Sequence, residues 1–91
     1  MIDLFRAEGP RLLQEIRDAL ANGDAPGVRG AAHGLKGAAG YVGGTGVATA
    51  ARLIEQLAEA NDLSAVPAAL ETLEAELSRL LNDLPRSVAP V

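Results

Sequence analysis

The chemistry in this chain is concentrated in residues 28–46, which hold its one histidine, His33, its only lysine, Lys36, and seven of its ten glycines. A neutral imidazole carries one protonated nitrogen and one free lone pair, so near pH 7 an exposed histidine can attack phosphorus without a separate base. Such a nucleophile needs a fixed tautomer, solvent access, and a cation to offset the incoming charge. Lys36, one helical turn further on, can bring its ammonium to the same place as a mobile point charge. Read as a helix, the stretch puts Val28, Ala31, Ala32, Leu35, Ala38, Ala39 and Val42 on one stripe. His33 falls off that stripe, among Arg29, Gly30, Lys36 and Gly37, its neighbours at three and four residues.

The glycines carry a cost. Gly30, Gly34, Gly37 and Gly40 lie inside the helical pattern, and each is worse than alanine there by about 0.8 to 1 kcal/mol, roughly 3 to 4 kcal/mol together. Bare backbone beside the ring lets another molecule approach closely, and tight packing on a neighbouring helix is the plainer alternative.

Other chemistry is excluded by what is missing. One histidine without any cysteine is far short of a metal-ligand set, so no metal site is expected. The glycines around Thr45 lack both a preceding strand and a Gly-Lys-Ser/Thr sequence, so no ATP site is expected and the chain does not phosphorylate itself. A net charge of −4 argues against nucleic-acid binding. The longest uncharged run, 37–51, is too short and glycine-rich to span a bilayer, and no signal-peptide core opens the chain. A soluble, cytoplasmic domain without membrane contact is therefore expected, and the lack of cysteines is compatible with a reducing compartment.

The elements that must position His33 are helices, since alanine, leucine, glutamate and arginine dominate and aromatics are scarce. The first is expected over 2–21, with Leu13, Ile16 and Leu20 inward and Asn22-Gly23 as its stop. A proline inside a helix removes a backbone bond and crowds the preceding turn. A kink or break is therefore expected near Gly9-Pro10, with Leu4 and Phe5 as a separate lid. The second helix begins after the N-cap Asp24, carries Pro26 in its first turn and ends near Val42. Gly43-Gly44 turn the chain, with Thr45 as the next cap. The third helix places Val47, Ala50, Ala51, Ile54 and Leu57 inward and ends at Asn61. The fourth starts near Ser64 and runs to Leu84 with Val66, Leu70, Leu73, Leu77 and Leu80 along one seam; Pro85 stops it. Together they predict an all-α fold, an antiparallel up-down four-helix bundle over 1–85, with a disordered tail or truncated linker at 86–91.

If Gly43-Gly44 reverse the chain, His33 and Glu55, each eleven residues from Gly44, stand at the same height on antiparallel helices. A carboxylate accepting from Nδ1–H would leave Nε2 as the nucleophile and hold the ring's orientation. An ordinary exposed helix glutamate is the equal alternative, because spacing fixes height and not azimuth.

The run His33, Gly34, Leu35, Lys36, Gly37, Ala38, Ala39, Gly40, Tyr41, Val42, Gly43 resembles the motif of the histidine-containing phosphotransfer (HPt) domains of bacterial phosphorelays. In that motif a large aliphatic, a lysine and a glycine follow the histidine, and a second glycine stands ten positions after it. The family often continues with a Leu-Glu pair, where this chain has Ile54 and Glu55. The resemblance implies that His33 is the phospho-acceptor, that Lys36 supports the phosphoryl charge, and that the bare surface at Gly30, Gly34, Gly37 and Gly40 serves partner access. A glutamate at position 55 is similar to that of the chemotaxis-kinase domain. Arg29 and Arg52 are candidates for a basic docking rim and equally for ordinary solvated residues. The implied partners are response-regulator receiver domains, which would bring Mg²⁺, and sensor histidine kinases; no intrinsic cofactor is implied. The principal expectation is a carrier that moves a phosphoryl group between receiver aspartates. The alternatives are the substrate domain of a larger hybrid or chemotaxis-type histidine kinase and, less favoured, a helical interaction module with a vestigial histidine. Gly34 and Tyr41 depart from the commoner residues at their positions, which bears on partner preference.

Overall fold

The structure is a computed structural model that describes residues 2–85. Four helices follow one another: α1 (Ile2–Ala21), α2 (Ala25–Tyr41), α3 (Thr45–Glu59) and α4 (Val66–Asp83), the last preceded by a 3-10 turn at Leu63–Ala65. The expected tail, 86–91, lies outside the described residues.

Tight turns make each helix antiparallel to the one before. Gly23 and Gly43 adopt φ of 65° and 74°, left-handed values that only glycine takes at little cost. The Asp24 side chain accepts from the Gly27 N–H at 3.0 Å and Pro26 sits in the first turn, so α2 starts where the sequence places it. The cap of α3 is Gly44 rather than Thr45, which is already helical, and no side chain caps that end. The third helix stops at Glu59, short of the expected Asn61; Asn61 instead takes φ 58° in the turn that follows. Three residues of 3-10 geometry then delay α4 to Val66, which still leaves Pro67 in the first turn, where its missing N–H does no harm.

Pro10 does not break α1, which is helical throughout. The proline faces solvent, and the turns flanking it are held by packing: Phe5 and Gly9 are both buried. A Cβ on Gly9 would lie 3.3 Å from Leu77 Cδ1, so this glycine lets α1 approach α4. Leu4 and Phe5 are therefore not a detached lid. Phe5 belongs to the core, and Leu4 points outward.

One core runs the length of the bundle, with Ile16, Val28, Leu35, Ile54, Val66 and Leu73 fully buried. Ala38, Val42, Leu57, Leu80 and Leu84 of the predicted stripes pack on its edge, half-buried. The first and last helices are tied by polar contacts at two levels. Arg6 donates to the carbonyls of Leu81 at 3.0 Å and Leu84 at 2.9 Å, satisfying open groups at the C-terminus of α4. Further along, Arg17 pairs with Glu74.

Candidate functional site

His33 stands midway along α2 with its side chain 68% exposed, while Val28, Ala32 and Leu35 of the same helix are completely buried. The helix is thus anchored through one face and presents the ring on the other. Glu55, one residue after the buried Ile54, points from α3 to α2. Its Oε2 lies 2.8 Å from His33 Nδ1 and its Oε1 2.7 Å from Lys36 Nζ.

Glu55 is the one buried charged residue among those described, and its carboxylate is matched on both oxygens, which is how a buried charge is retained. Hydrogen bonding from Lys36, reinforced by that from His33, holds its carboxyl below the ordinary glutamate range, and burial only partly opposes this. An ionised carboxylate can only accept, so the proton shared with His33 sits on Nδ1 and the lone pair on Nε2.

On the opposite flank of α2 a groove of about 490 Å³ opens between α1 and α2, beginning at His33. Its floor is Gly34, Gly37 and Ala38; Leu4, Phe5 and Leu12 come from α1, and Tyr41 and Val42 close the far end. Arg11 stands on its rim, already engaged by Glu8 and Glu15 on its own helix.

Of the five glycines of α2, Gly27 packs against Asp24 and Ala19 at the helix start, but Gly30, Gly34, Gly37 and Gly40 are not packing glycines. A Cβ at Gly30, Gly37 or Gly40 would meet nothing within 4 Å, and at Gly34 only Leu12 at an ordinary 3.5 Å. Among the described residues no packing contact offsets their cost in helix propensity.

The structure thus brings His33, Lys36 and Glu55 into one network. The basic rim is not assembled. Arg29 lines a shallow depression with Pro26, Ala58 and Glu59, and Arg52 lines another between α3 and α4; among the described residues neither is hydrogen-bonded or ion-paired to the site. Sequence reasoning missed two features. The Lys36 to Glu55 contact was foreshadowed by the one-turn offset of Lys36 from His33 on the side that faces α3. For the groove, the bare glycines of α2 pointed to an open approach, but its wall at Leu4 and Phe5 was misplaced as a lid.

Fold and site together define a helical-bundle protein organised around one solvent-facing histidine. The family model for the Hpt domain matches residues 1–83, and the chain belongs to that family. It therefore has a phosphotransfer role in a two-component phosphorelay, where Hpt domains interact with receiver domains and kinases. No curated protein and no solved structure matches the chain. No helix among the described residues is long and apolar enough to cross a membrane, and no group of metal-ligating side chains occurs among them.

Proposed function

We propose that this domain is a cytoplasmic phosphoryl carrier in which His33 Nε2 takes a phosphoryl group from an aspartyl phosphate of one receiver and yields it to an aspartate of another. The observation that carries this reading is the 2.8 Å contact between Nδ1 and Glu55, which leaves Nε2 unprotonated on an exposed ring. In the forward step the Nε2 lone pair forms the bond to phosphorus as the P–O bond breaks, and the aspartate departs as a carboxylate. Nδ1 keeps its proton throughout. The ring acquires positive charge as the N–P bond forms, and the Glu55 carboxylate, already in place, offsets it without reorganisation. Lys36 supplies the second term: its flexible stem lets the ammonium turn from Glu55 toward the phosphoryl oxygens. Return of the group reverses every bond change, so the chain needs no base of its own.

In this reading the Mg²⁺ is brought by the receiver. Gly34 and Gly37 keep the approach to Nε2 open, and the surface of α1 beside them completes the docking face. Lys36 is the cation nearest the transfer point.

The test uses receiver domains phosphorylated with acetyl phosphate and freed of it. Mixed with them, the wild-type domain acquires an acid-labile, base-stable phosphoryl group, whereas His33→Gln acquires none and keeps its stability within about 0.5 kcal/mol, because the ring is exposed. Acceptance by the variant at the wild-type rate would overturn the carrier reading.

A further inference from the structure

Large apolar side chains are exposed at three places only among the described residues: Leu4 at 58%, Tyr41 at 77% and Leu53 at 47%. Two of them, Leu4 and Tyr41, line the one groove that begins at His33. Tyr41 lies eight residues after His33 on the same helix, about 12 Å along its axis at 1.5 Å per residue. Any receiver that brings an aspartyl phosphate to Nε2 covers the near end of this groove, so its far end is continuous with the transfer interface.

The groove offers little free charge. The two charged residues that line it, Glu8 and Arg11, pair with each other, and Arg11 pairs with Glu15 as well; apart from His33 the rest of the lining is glycine, alanine, apolar side chains and the Tyr41 ring. Toward the other end of α2 the surface differs: the depression beside Arg29 is separate from this groove and mixes Arg29 with Glu59 and Asn61. The footprint available beyond the ring is therefore one-sided, running toward Tyr41.

We propose that Tyr41, with Leu4 beside it, is a specificity-determining anchor: an apolar ridge of the receiver lies along the groove from His33 to Tyr41, and partners are distinguished at its far end. The inference rests on the carrier reading. A contact about 12 Å further along the helix axis than His33, at roughly 1.5 Å rise per residue, acts as a lever that fixes how the receiver is turned when its aspartate meets Nε2. An exposed tyrosine suits this task because it contributes large, rigid contact area at low entropic cost. It also explains why the chain keeps an aromatic at a solvent-facing helix end.

The experiment compares two donors on the full chain. Phosphoramidate, small enough to need no docking, phosphorylates His33 directly; a panel of receiver domains charged with acetyl phosphate delivers the group through the interface. Tyr41→Ala is expected to raise KM for the best receiver about tenfold, as loss of an interface anchor does, with the phosphoramidate rate unchanged. Tyr41→Phe restores most of the loss, and Leu53→Ala, on the α3–α4 side, has no effect. Circular dichroism and melting of each variant exclude misfolding as the cause. Wild-type KM in Tyr41→Ala, with His33 still phosphorylated, would overturn the anchor. Sedimentation showing a dimer that Tyr41→Ala dissociates would also overturn it, by giving the groove to a second copy of the chain. Failure of every receiver to charge the wild type counts against the carrier reading instead.

Discussion

The two flanks of α2 at His33 are opposites. Toward α3 the surface is closed and charged: Glu55 is buried and holds both Nδ1 and Lys36 by short hydrogen bonds. Toward α1 it is open and apolar, with glycine backbone where side chains would fit without a clash. One flank fixes the ring from within the protein, and the other leaves it free to meet something from outside. A nucleophilic histidine needs both, and they cannot share a side, because the groups that orient the ring also obstruct it.

Breaking the closed flank has the larger expected effect. Glu55→Ala removes the acceptor for Nδ1–H and frees Lys36, and it should slow transfer about tenfold, the lower end of what loss of an orienting carboxylate costs. It should not abolish transfer, since Nε2 and Lys36 remain. Glu55→Gln should be milder, because its amide oxygen accepts the same bond. Single-turnover transfer from one charged receiver measures all three proteins, and a Glu55→Ala rate equal to wild type would reduce Glu55 to a packing residue. The pH dependence has a definite sign. Because the Glu55 carboxyl is depressed in the folded state, its stabilisation is fully present above the ordinary glutamate pKa and is lost as pH falls through the lower folded value. Carboxyl NMR should therefore show Glu55 still ionised where exposed glutamates are half protonated.

The open flank should respond in the contrary sense. Gly37→Ala meets no atom within 4 Å, so it should stabilise the fold by about 0.8 to 1 kcal/mol while slowing receiver transfer about threefold. Gly43→Ala provides the contrast, since at φ 74° the same methyl group should destabilise by about 1 kcal/mol and leave the site chemistry alone. Thermal melts and transfer rates on the two variants separate a glycine kept for a partner from one kept for the backbone; a Gly37→Ala that melts higher and transfers at full rate would remove Gly37 from the docking face.

Most of the scaffold was legible because its signals are local. Asp24 with Pro26, the paired stops at Gly23 and Gly43, and the apolar periods of α2 and α4 each act within a turn or two of chain. Misreadings occurred where distant packing overrides local preference. Pro10 costs α1 a hydrogen bond, yet Phe5 and Gly9 bury against the rest of the bundle and carry the helix through. At the site, the height of Glu55 followed from counting residues about the turn. Its direction did not, because azimuth is set by how α3 rolls to bury Val47, Ala51 and Ile54. The apolar groove depends on both α1 and α2: its α2 side was readable from the bare glycines, but its wall at Leu4 and Phe5 was misplaced because those residues were assigned to a lid.

The division of labour between the flanks is tested most directly by ¹⁵N NMR of the imidazole, which is free of assignment ambiguity because His33 is the only histidine. The account predicts that the neutral ring carries its proton on Nδ1 and leaves Nε2 bare, and that Glu55→Ala shifts the population toward the Nε2–H form. A wild-type ring protonated mainly on Nε2, or a tautomer ratio indifferent to Glu55→Ala, would contradict it.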